Sequence, residues 1–251
     1  MVHQFENFEY SYWKNGKPYY APNDFGRKLG KKLKTKIEDT YQFADFNYHF
    51  REGAHIQALH DHRANKFFCR VDIERFFYSV KRNRVKRALK EIGINKPEYY
   101  AKWSTVKNPY DDGGYVVPYG FVQSPIVATL VVALSPIGIF LRNLDPQITR
   151  SIYMDDICLS GADKALLETS FAGLCEAVAD SGFLLNTDKT REPAPMIDIF
   201  NCDLEHARSE VLQTRKDEYY SVEHTDQSIS SFEQYCSIVE SADWRSAVAA
   251  K

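Results

Sequence analysis

Apolar positions along the chain switch between a spacing of two and a spacing near four, and the switches mark the elements. Residues 14–24, KNGKPYYAPND, are rich in turn formers. The Asn15-Gly16 pair between aromatic flanks predicts a hairpin. In 25–37, Leu29, Leu33 and Ile37 recur every four residues with Lys and Arg between them, the pattern of a basic amphipathic helix. Residues 54–64 read as another helix. FFCRVDI, 67–73, is β-prone and mostly apolar, which predicts a buried strand. In 81–94, Val85, Leu89 and Ile92 mark one helical face, six basic residues cover the rest, and Gly93 is the stop. A hairpin loop is read at 103–118 around the DDGG of 111–114. Residues 124–142 read as one apolar helix, with Ser124 as N-cap and Pro125 as its first residue. ITRSIYMDDICLSG, 148–161, reads as strand, turn, strand. A helix follows at 163–182, then short strands near 183–185 and 197–204. One more helix is read in the tail, at 228–241. Strands and helices alternate with hairpins between them, which predicts an α+β fold: a mixed sheet with helices on one side.

Composition narrows the class. The 251 residues are 44% hydrophobic and 26% charged, which suits a folded globule and excludes disorder along the whole chain. The 16 Tyr and 16 Phe are many, and such rings serve both cores and base stacking. The longest apolar run, 126–134, falls short of the roughly 20 residues a bilayer needs, so no membrane span is expected. MVHQFENFEYSYW has neither the basic start nor the apolar stretch of a signal peptide. Five scattered Cys form no CxxC, which predicts reduced thiols in a cytoplasmic protein, without a disulfide frame or zinc site. The net charge of -2 conceals an asymmetry. Residues 1–107 carry 22 basic and 12 acidic side chains, net +10; residues 108–251 carry 10 and 22, net -12. The basic part suits a polyanionic partner.

Three features then call for joint reading: Asp72 in VDIERFF, Asp155-Asp156 in YMDD, and Lys189 in LLNTDKT. Asp72 lies on or just beyond a buried strand. Asp155 and Asp156 lie at a hairpin tip with apolar arms. Charge beside buried apolar residues is costly to desolvate. Carboxylates converging from two strands repel unless a cation lies between them, and hard divalent ions such as Mg²⁺ suit oxygen ligands. Two such ions can stabilise the attacking and leaving oxygens of a phosphoryl transfer. By contrast Asp111-Asp112, followed by Gly-Gly, reads as a solvated turn. A Y-x-D-D match alone is weak; the ordered set around it carries the weight.

That ordered set resembles the bacterial reverse transcriptases of the retron, group II intron and defence-associated kind. NYHFREGAH (47–55) is similar to the family's G-F-R-x-G-R-S segment. RVDIERFFYSV (70–80) resembles motif A, VPYGFVQSPIVATL (117–130) motif B, SIYMDDICLSG motif C, and GFLLNTDKT (182–190) motif D. FNCDL (200–204) stands where the primer-grip hairpin belongs. The resemblance implies a right-hand polymerase. Its fingers would be 1–66 and 81–116, its palm 67–80 and 117–204, and its reduced thumb 205–251.

The resemblance also implies roles. Asp72 and Asp155 would hold two Mg²⁺ ions, with Mn²⁺ as an alternative. Asp156 would support that site and touch a metal, and the Ile73 carbonyl would add a ligand. Phe77 falls where the family keeps an aromatic under the sugar, which would exclude a ribose 2′-hydroxyl. Lys189 would sit near the triphosphate and protonate leaving pyrophosphate, on a loop ordered by Asn186. The segment from Tyr119 and Gly120 to the helix opening at Ser124 would meet the template base or incoming nucleotide. Three departures stand out. Tyr119 replaces the Gln usual in motif B. The first hairpin has no Arg after its glycine, leaving Lys17 as the nearest cation and Arg27 as an alternative. The thumb is short, which invites a protein partner or homo-oligomer.

The implied partners are an RNA template, a non-coding RNA above all, a DNA product and dNTPs, with no membrane. Lys28, Lys31, Lys32, Lys34 and Lys36, with Lys81, Arg82, Arg84, Lys86 and Arg87, would line a nucleic-acid path or form solvated helix faces. Tyr19, Tyr20 and Tyr48 read equally as stacking or core residues. His60 and His62 lack a third ligand at useful spacing and read as nucleic-acid contacts or surface. The function implied is RNA-templated DNA synthesis from a 3′-hydroxyl, in a retron or antiviral defence system. Two alternatives stay open: template-independent or protein-primed synthesis on the same fold, and a non-catalytic nucleic-acid scaffold.

Overall fold

A computed structural model of the chain describes residues 7–111 and 113–249. Its strands are β1 (Phe8–Lys14), β2 (Lys17–Pro22), β3 (Phe67–Asp72), β4 (Val106–Lys107), β5 (Tyr115–Val116), β6 (Thr149–Tyr153), β7 (Asp156–Gly161), β8 (Arg191–Ala194), β9 (Met196–Ile199), β10 (Cys202–Glu205) and β11 (Arg208–Val211). Its helices are α1 (Asp24–Thr40), α2 (Ala54–His62), α3 (Phe76–Ser79), α4 (Arg82–Glu91), α5 (Pro97–Trp103), α6 (Ser124–Ala133), α7 (Pro136–Arg142), α8 (Lys164–Asp180), α9 (Gln213–Tyr220), α10 (Asp226–Glu240) and α11 (Trp244–Ala249). They form two compact units. One is built from the described residues up to 43 and from 74–139, the other from 44–73 and 140 onward.

In the first unit, Asn15 and Gly16 take φ of 50° and 68° between β1 and β2. Two left-handed residues in a two-residue loop match the twist of the flanking strands. The Asn23 side chain caps α1 by accepting from the Gly26 N–H at 2.8 Å. Leu33 and Ile37 are buried while the lysines between them face outward. Val85 and Leu89 do the same for α4, which ends before Gly93 at φ 78°. Helix α5, not anticipated from the pattern, opens on Pro97 and packs against α1 and α4. Asp111 accepts from the Gly113 N–H at 3.2 Å, a turn contact; its neighbour Asp112 lies outside the described residues.

The single helix expected over 124–142 is in fact two. Helix α6 ends at Ala133 and α7 begins at Pro136. Proline lacks an N–H and its ring clashes with the carbonyl four residues back, so the first helix cannot run through it. The capping expectation also needs correction. Gln123 is the N-cap, without a side-chain cap bond, and Ser124 is the first helical residue. The Ser124 hydroxyl is buried and has no hydrogen-bond partner among the described residues. All eight residues from Ile126 to Ala133 are buried, so the apolar run is a core helix. No single helix among the described residues is long and apolar enough to cross a membrane.

In the second unit a four-stranded sheet runs in the order β6-β7-β3-β8, every neighbour antiparallel. Side chains alternate between its faces. Phe68 and Cys158 share one core with Leu59 of α2, Phe232 and Val239 of α10, and Ile197, Ile199, Cys202 and Leu204. Cys69, Val71, Ile157 and Leu159 point to the opposite face, which α8 covers. The α+β class holds, with antiparallel sheets. Where the pattern placed helices on one side, α2 and α10 also pack on the second face.

The strand expected at 197–204 is a hairpin, β9 and β10, turning at Phe200 and Asn201 with φ of 56° and 60°. Strand β11 extends it to three strands. Near 183–185 only Leu185 pairs, in an isolated bridge to Ile73. Beyond the expected α10, the tail also contains α9 and α11. Buried Arg63 ties this tail down: it donates to the Ser241 carbonyl at 2.7 Å and the Ala207 carbonyl at 2.9 Å. Charge burial is tolerated there because main-chain oxygens take the guanidinium protons.

Candidate active site

Strand register brings the acids together. Asp72 at the end of β3 stands directly opposite Asp156 at the start of β7. Met154, at φ 59°, and Asp155 make the turn between β6 and β7. Two main-chain bonds lock the segment after β3. The Ile73 N–H donates to the Asp155 carbonyl at 3.1 Å, and the Asn186 N–H donates to the Asp72 carbonyl at 2.9 Å. The Asn186 carbonyl accepts from the N–H groups of Lys189 at 3.2 Å and Thr190 at 2.9 Å, so the 186–190 loop winds on Asn186. Lys189 Nζ then lies 3.4 Å from Asp72 Oδ2.

Asp72 is 2% exposed, and its charge is answered by two cations. Besides Lys189 there is Arg70, two residues earlier and therefore on the same face of β3. Arg70 Nη2 is 3.5 Å from Asp72 Oδ2 and 2.6 Å from Asp156 Oδ1. Its Nε donates to the same Asp156 oxygen at 2.7 Å, and its Nη1 reaches Asp198 Oδ2 at 3.2 Å. Arg191 holds the other Asp198 oxygen at 2.6 Å. Burial pushes the Asp156 carboxyl up to about 6; Arg70 opposes the rise, and Asp155 and Asp72 add to it. Asp156 therefore remains charged at neutral pH, at an energetic cost that a nearby cation lowers.

Among the described residues, no group of three or more His, Cys, Asp or Glu side chains is arranged to hold a metal ion. Instead the Arg70 guanidinium stands between Asp72 and Asp156. The donor set is nonetheless right for a hard divalent ion: three carboxylates and a main-chain carbonyl, all oxygen, with no sulfur or imidazole. The two carboxylates already require positive charge between them, and a metal there would take over the contact that Arg70 and Lys189 make with Asp72.

Sequence reasoning missed Arg70 and Asp198. A signal for Arg70 was available: a guanidinium inside the apolar FFCRVDI needs a buried partner, and Asp72 is the acid on its own face. No comparable signal marks Asp198, which the β9–β10 hairpin brings in. A cleft of about 400 Å³ adjoins the acids, lined by His55, Tyr153, Asp155, Asp156, Phe200 and Tyr235 among others.

The remaining predicted residues lie in the first unit. Lys17 opens β2, and its Nζ donates to the Tyr119 hydroxyl at 3.4 Å. Arg27 donates to the Pro22 carbonyl at the end of β2 at 3.2 Å. Phe77 is nearly buried in α3, edge-on to Tyr119 with ring centres 4.7 Å apart. Gly120, at φ 100°, has a packing reason: a Cβ there would lie 2.3 Å from the Tyr20 carbonyl oxygen. Of the two readings open for Tyr48 the structure takes the core one, and its hydroxyl donates to Asp61 at 2.6 Å. One expectation fails. His62 is fully buried, with its ring nitrogens 2.6 Å and 2.8 Å from the Ser160 and Ser151 hydroxyls, so it is neither surface nor a nucleic-acid contact.

The fold that carries these acids recurs in solved structures. The chain is similar to the foamy viral protease-reverse transcriptase solved with double-stranded DNA: TM-score 0.51, 16% identity, covering 86% of this chain and 32% of that one. It is also similar to the telomerase of Candida albicans solved with a fragment of telomeric RNA: TM-score 0.52, 14% identity, covering 75% and 37%. The chain thus spans about a third of the length of these structures. No curated protein matches its sequence. Residues 14–212 match the family model of reverse transcriptase (RNA-dependent DNA polymerase), and the chain belongs to that family.

Proposed function

We propose that the chain is an RNA-templated DNA polymerase that adds deoxynucleotides to a 3′-hydroxyl. The observation that carries this reading is the register of Asp72 against Asp156, with Asp155 on the adjoining turn. Two bound Mg²⁺ ions would supply charge stabilisation for the attacking and leaving oxygens. Asp72, Asp155, Asp156 and the Ile73 carbonyl would hold them. Arg70 keeps Asp156 oriented through two bonds to one oxygen, leaving its second oxygen for a metal. Lys189 Nζ lies beside Asp72 and would protonate departing pyrophosphate. Phe77 would exclude a ribose 2′-hydroxyl by bulk, as its place in motif A implies. In this reading the four-stranded sheet belongs to the palm, β1, β2, α1 and α4 to the fingers, and 205–251 to the thumb. Primer extension on a defined RNA with dNTPs and Mg²⁺ tests it, with Asp155→Asn as the inactive control.

A second reading has one observation in its favour. Tyr119, where the family offers Gln, sits among Tyr19, Phe77 and Tyr78, with ring centres 4.7–5.5 Å away. An aromatic there would loosen dependence on a template base. Sequencing the product decides: DNA faithful to the supplied RNA removes this reading. The motif spellings further support a place among bacterial retron or defence-associated enzymes working with a dedicated non-coding RNA. Sequencing RNA and DNA that co-purify with the protein tests that setting.

A further inference from the structure

The hairpin of β1 and β2 exposes rings that a folded chain would ordinarily cover. Tyr10 is 58% exposed, Tyr12 46% and Trp13 65%. Single exposed aromatics are unremarkable, but a contiguous set marks a binding surface. The strand register sorts them. Tyr12 stands opposite Tyr19, and Lys14 opposite Lys17. Residues two apart on β1 share a face, so Tyr10, Tyr12, Lys14, Lys17 and Tyr19 lie together, while Trp13 points the other way.

The rings on that face form a ladder. Centres are 6.2 Å apart from Tyr10 to Tyr12, 5.6 Å from Tyr12 to Tyr19, and 5.1 Å from Tyr19 to Tyr119. Lys17 Nζ lies 5.3 Å over the Tyr119 ring, and Lys14 and Lys17 are both exposed. Rings offer stacking surface to any base, and lysines beside them meet the phosphates between bases. Paired bases in a duplex hide their faces, so the surface selects unpaired strands. Charge favours the same occupant over a protein: residues 1–43 and 74–139 carry 18 basic against 10 acidic side chains.

We propose that this face of the β1–β2 hairpin is a stacking surface for an unpaired stretch of RNA. In the polymerase reading, on which this inference rests for its biological meaning, that stretch is template not yet copied. Tyr10 and Tyr12 stack on bases, and Lys14 and Lys17 neutralise phosphates. Ring stacking and phosphate contacts are common to RNA and DNA, so single-stranded DNA of the same sequence binds comparably.

The test is fluorescence anisotropy with a labelled, unstructured 12-nucleotide RNA and, as control, a blunt RNA–DNA duplex of the same length. Y10S/Y12S weakens binding of the single strand roughly 30-fold or more, since each of the two base–ring stacks contributes about fivefold or more. Duplex binding changes less than about twofold, and Y10F/Y12F retains wild-type affinity, because the ring and not its hydroxyl does the work. Lys14→Ser with Lys17→Ser instead lowers the slope of log K against log salt by about 1. Both tyrosines are exposed, so melting curves stay unchanged. Equal single-strand affinity for wild type and Y10S/Y12S overturns the proposal. So does wild-type self-association that Y10S/Y12S abolishes in sedimentation without loss of RNA binding, since the face would then serve a second copy of the chain. Binding is read without dNTPs. A wild type that fails to extend primers yet shows the affinity loss rejects the polymerase reading and keeps the surface.

Discussion

Residues 1–43 and 74–139 carry 18 Lys and Arg against 10 Asp and Glu, net +8; the rest of the chain carries 14 against 24, net -10. The two units differ in where charge sits as much as in its sign. In the first, charges lie on outer helix faces, and ion pairs such as Lys34–Glu38 at 3.7 Å and Lys86–Glu98 at 2.9 Å are solvent-exposed. Pairs of that kind contribute little to stability and leave a surface free to meet phosphates. In the second, Arg70 is 7% exposed among Asp72, Asp156 and Asp198, and removing it leaves buried Asp156 uncompensated. Exposed pairs such as these can lose charges singly; the Arg70 cluster cannot lose Arg70.

The sharpest break of that contrast is in activity. Asp155→Asn keeps shape and removes a metal-binding charge; primer extension should fall by about 10³-fold or more, the equivalent of several kcal/mol at the transition state. A change below tenfold would remove Asp155 from the site. Next is Arg70→Met, which strands buried Asp156 while Asp72 keeps Lys189 and Asp198 keeps Arg191, and should cost about 3–5 kcal/mol in urea melts. In this variant Mg²⁺ should raise the melting temperature more than in wild type, because the ion replaces the lost guanidinium. Equal Mg²⁺ shifts would mean that no ion binds between Asp72 and Asp156.

Acid provides a subtler probe of the second unit. Burial lowers His62 from 6.5 to about 3 and His49 to about 4. The unfolded chain therefore takes up these protons first. The stability they contribute is complete above pH 6.5 and is lost as pH falls toward 4, at up to about 1.4 kcal/mol per pH unit for each histidine. Asp156 works oppositely. Its raised pKa near 6 means that protonation relieves a cost as pH falls from about 6 toward 3.8. Two histidines against one aspartate predict net loss of stability from pH 6.5 to 4.5, and His62→Asn should flatten that limb of the pH–stability curve. A profile identical to wild type would mean that His62 is not buried neutral. The smallest effect belongs to the first unit: Lys31→Ser with Lys34→Ser should leave melting within about 0.5 kcal/mol of wild type. It should also lower the salt slope of RNA binding by about 1.

Local elements were largely legible in the chain. The Asn15-Gly16 turn, the basic helix over 25–37, the buried strand before Asp72 and the hairpin carrying Asp155 each announce themselves through short-range patterns. Misreadings came where two local signals competed. Apolar continuity over 124–142 hid the break that Pro136 imposes. Alternation over 197–204 ran across a turn at Phe200 and Asn201 without a glycine to mark it. Helix α9 buries no residue, so no apolar stripe betrays it.

Sequence alone therefore singled out the candidate residues: acids and a lysine placed where apolar strands give no other reason for charge. Tertiary structure alone decided what balances them. Arg70 meets Asp156 across 86 residues of chain and Asp198 across 128, and His62 meets Ser160 across 98. It likewise decided that Tyr10 and Tyr12 share a face and a ladder with Tyr19 and Tyr119. Periodicity reports the environment of one element, over a few residues. Which charge is neutralised and which ring is left exposed depend on partners that only strand pairing and packing bring within reach.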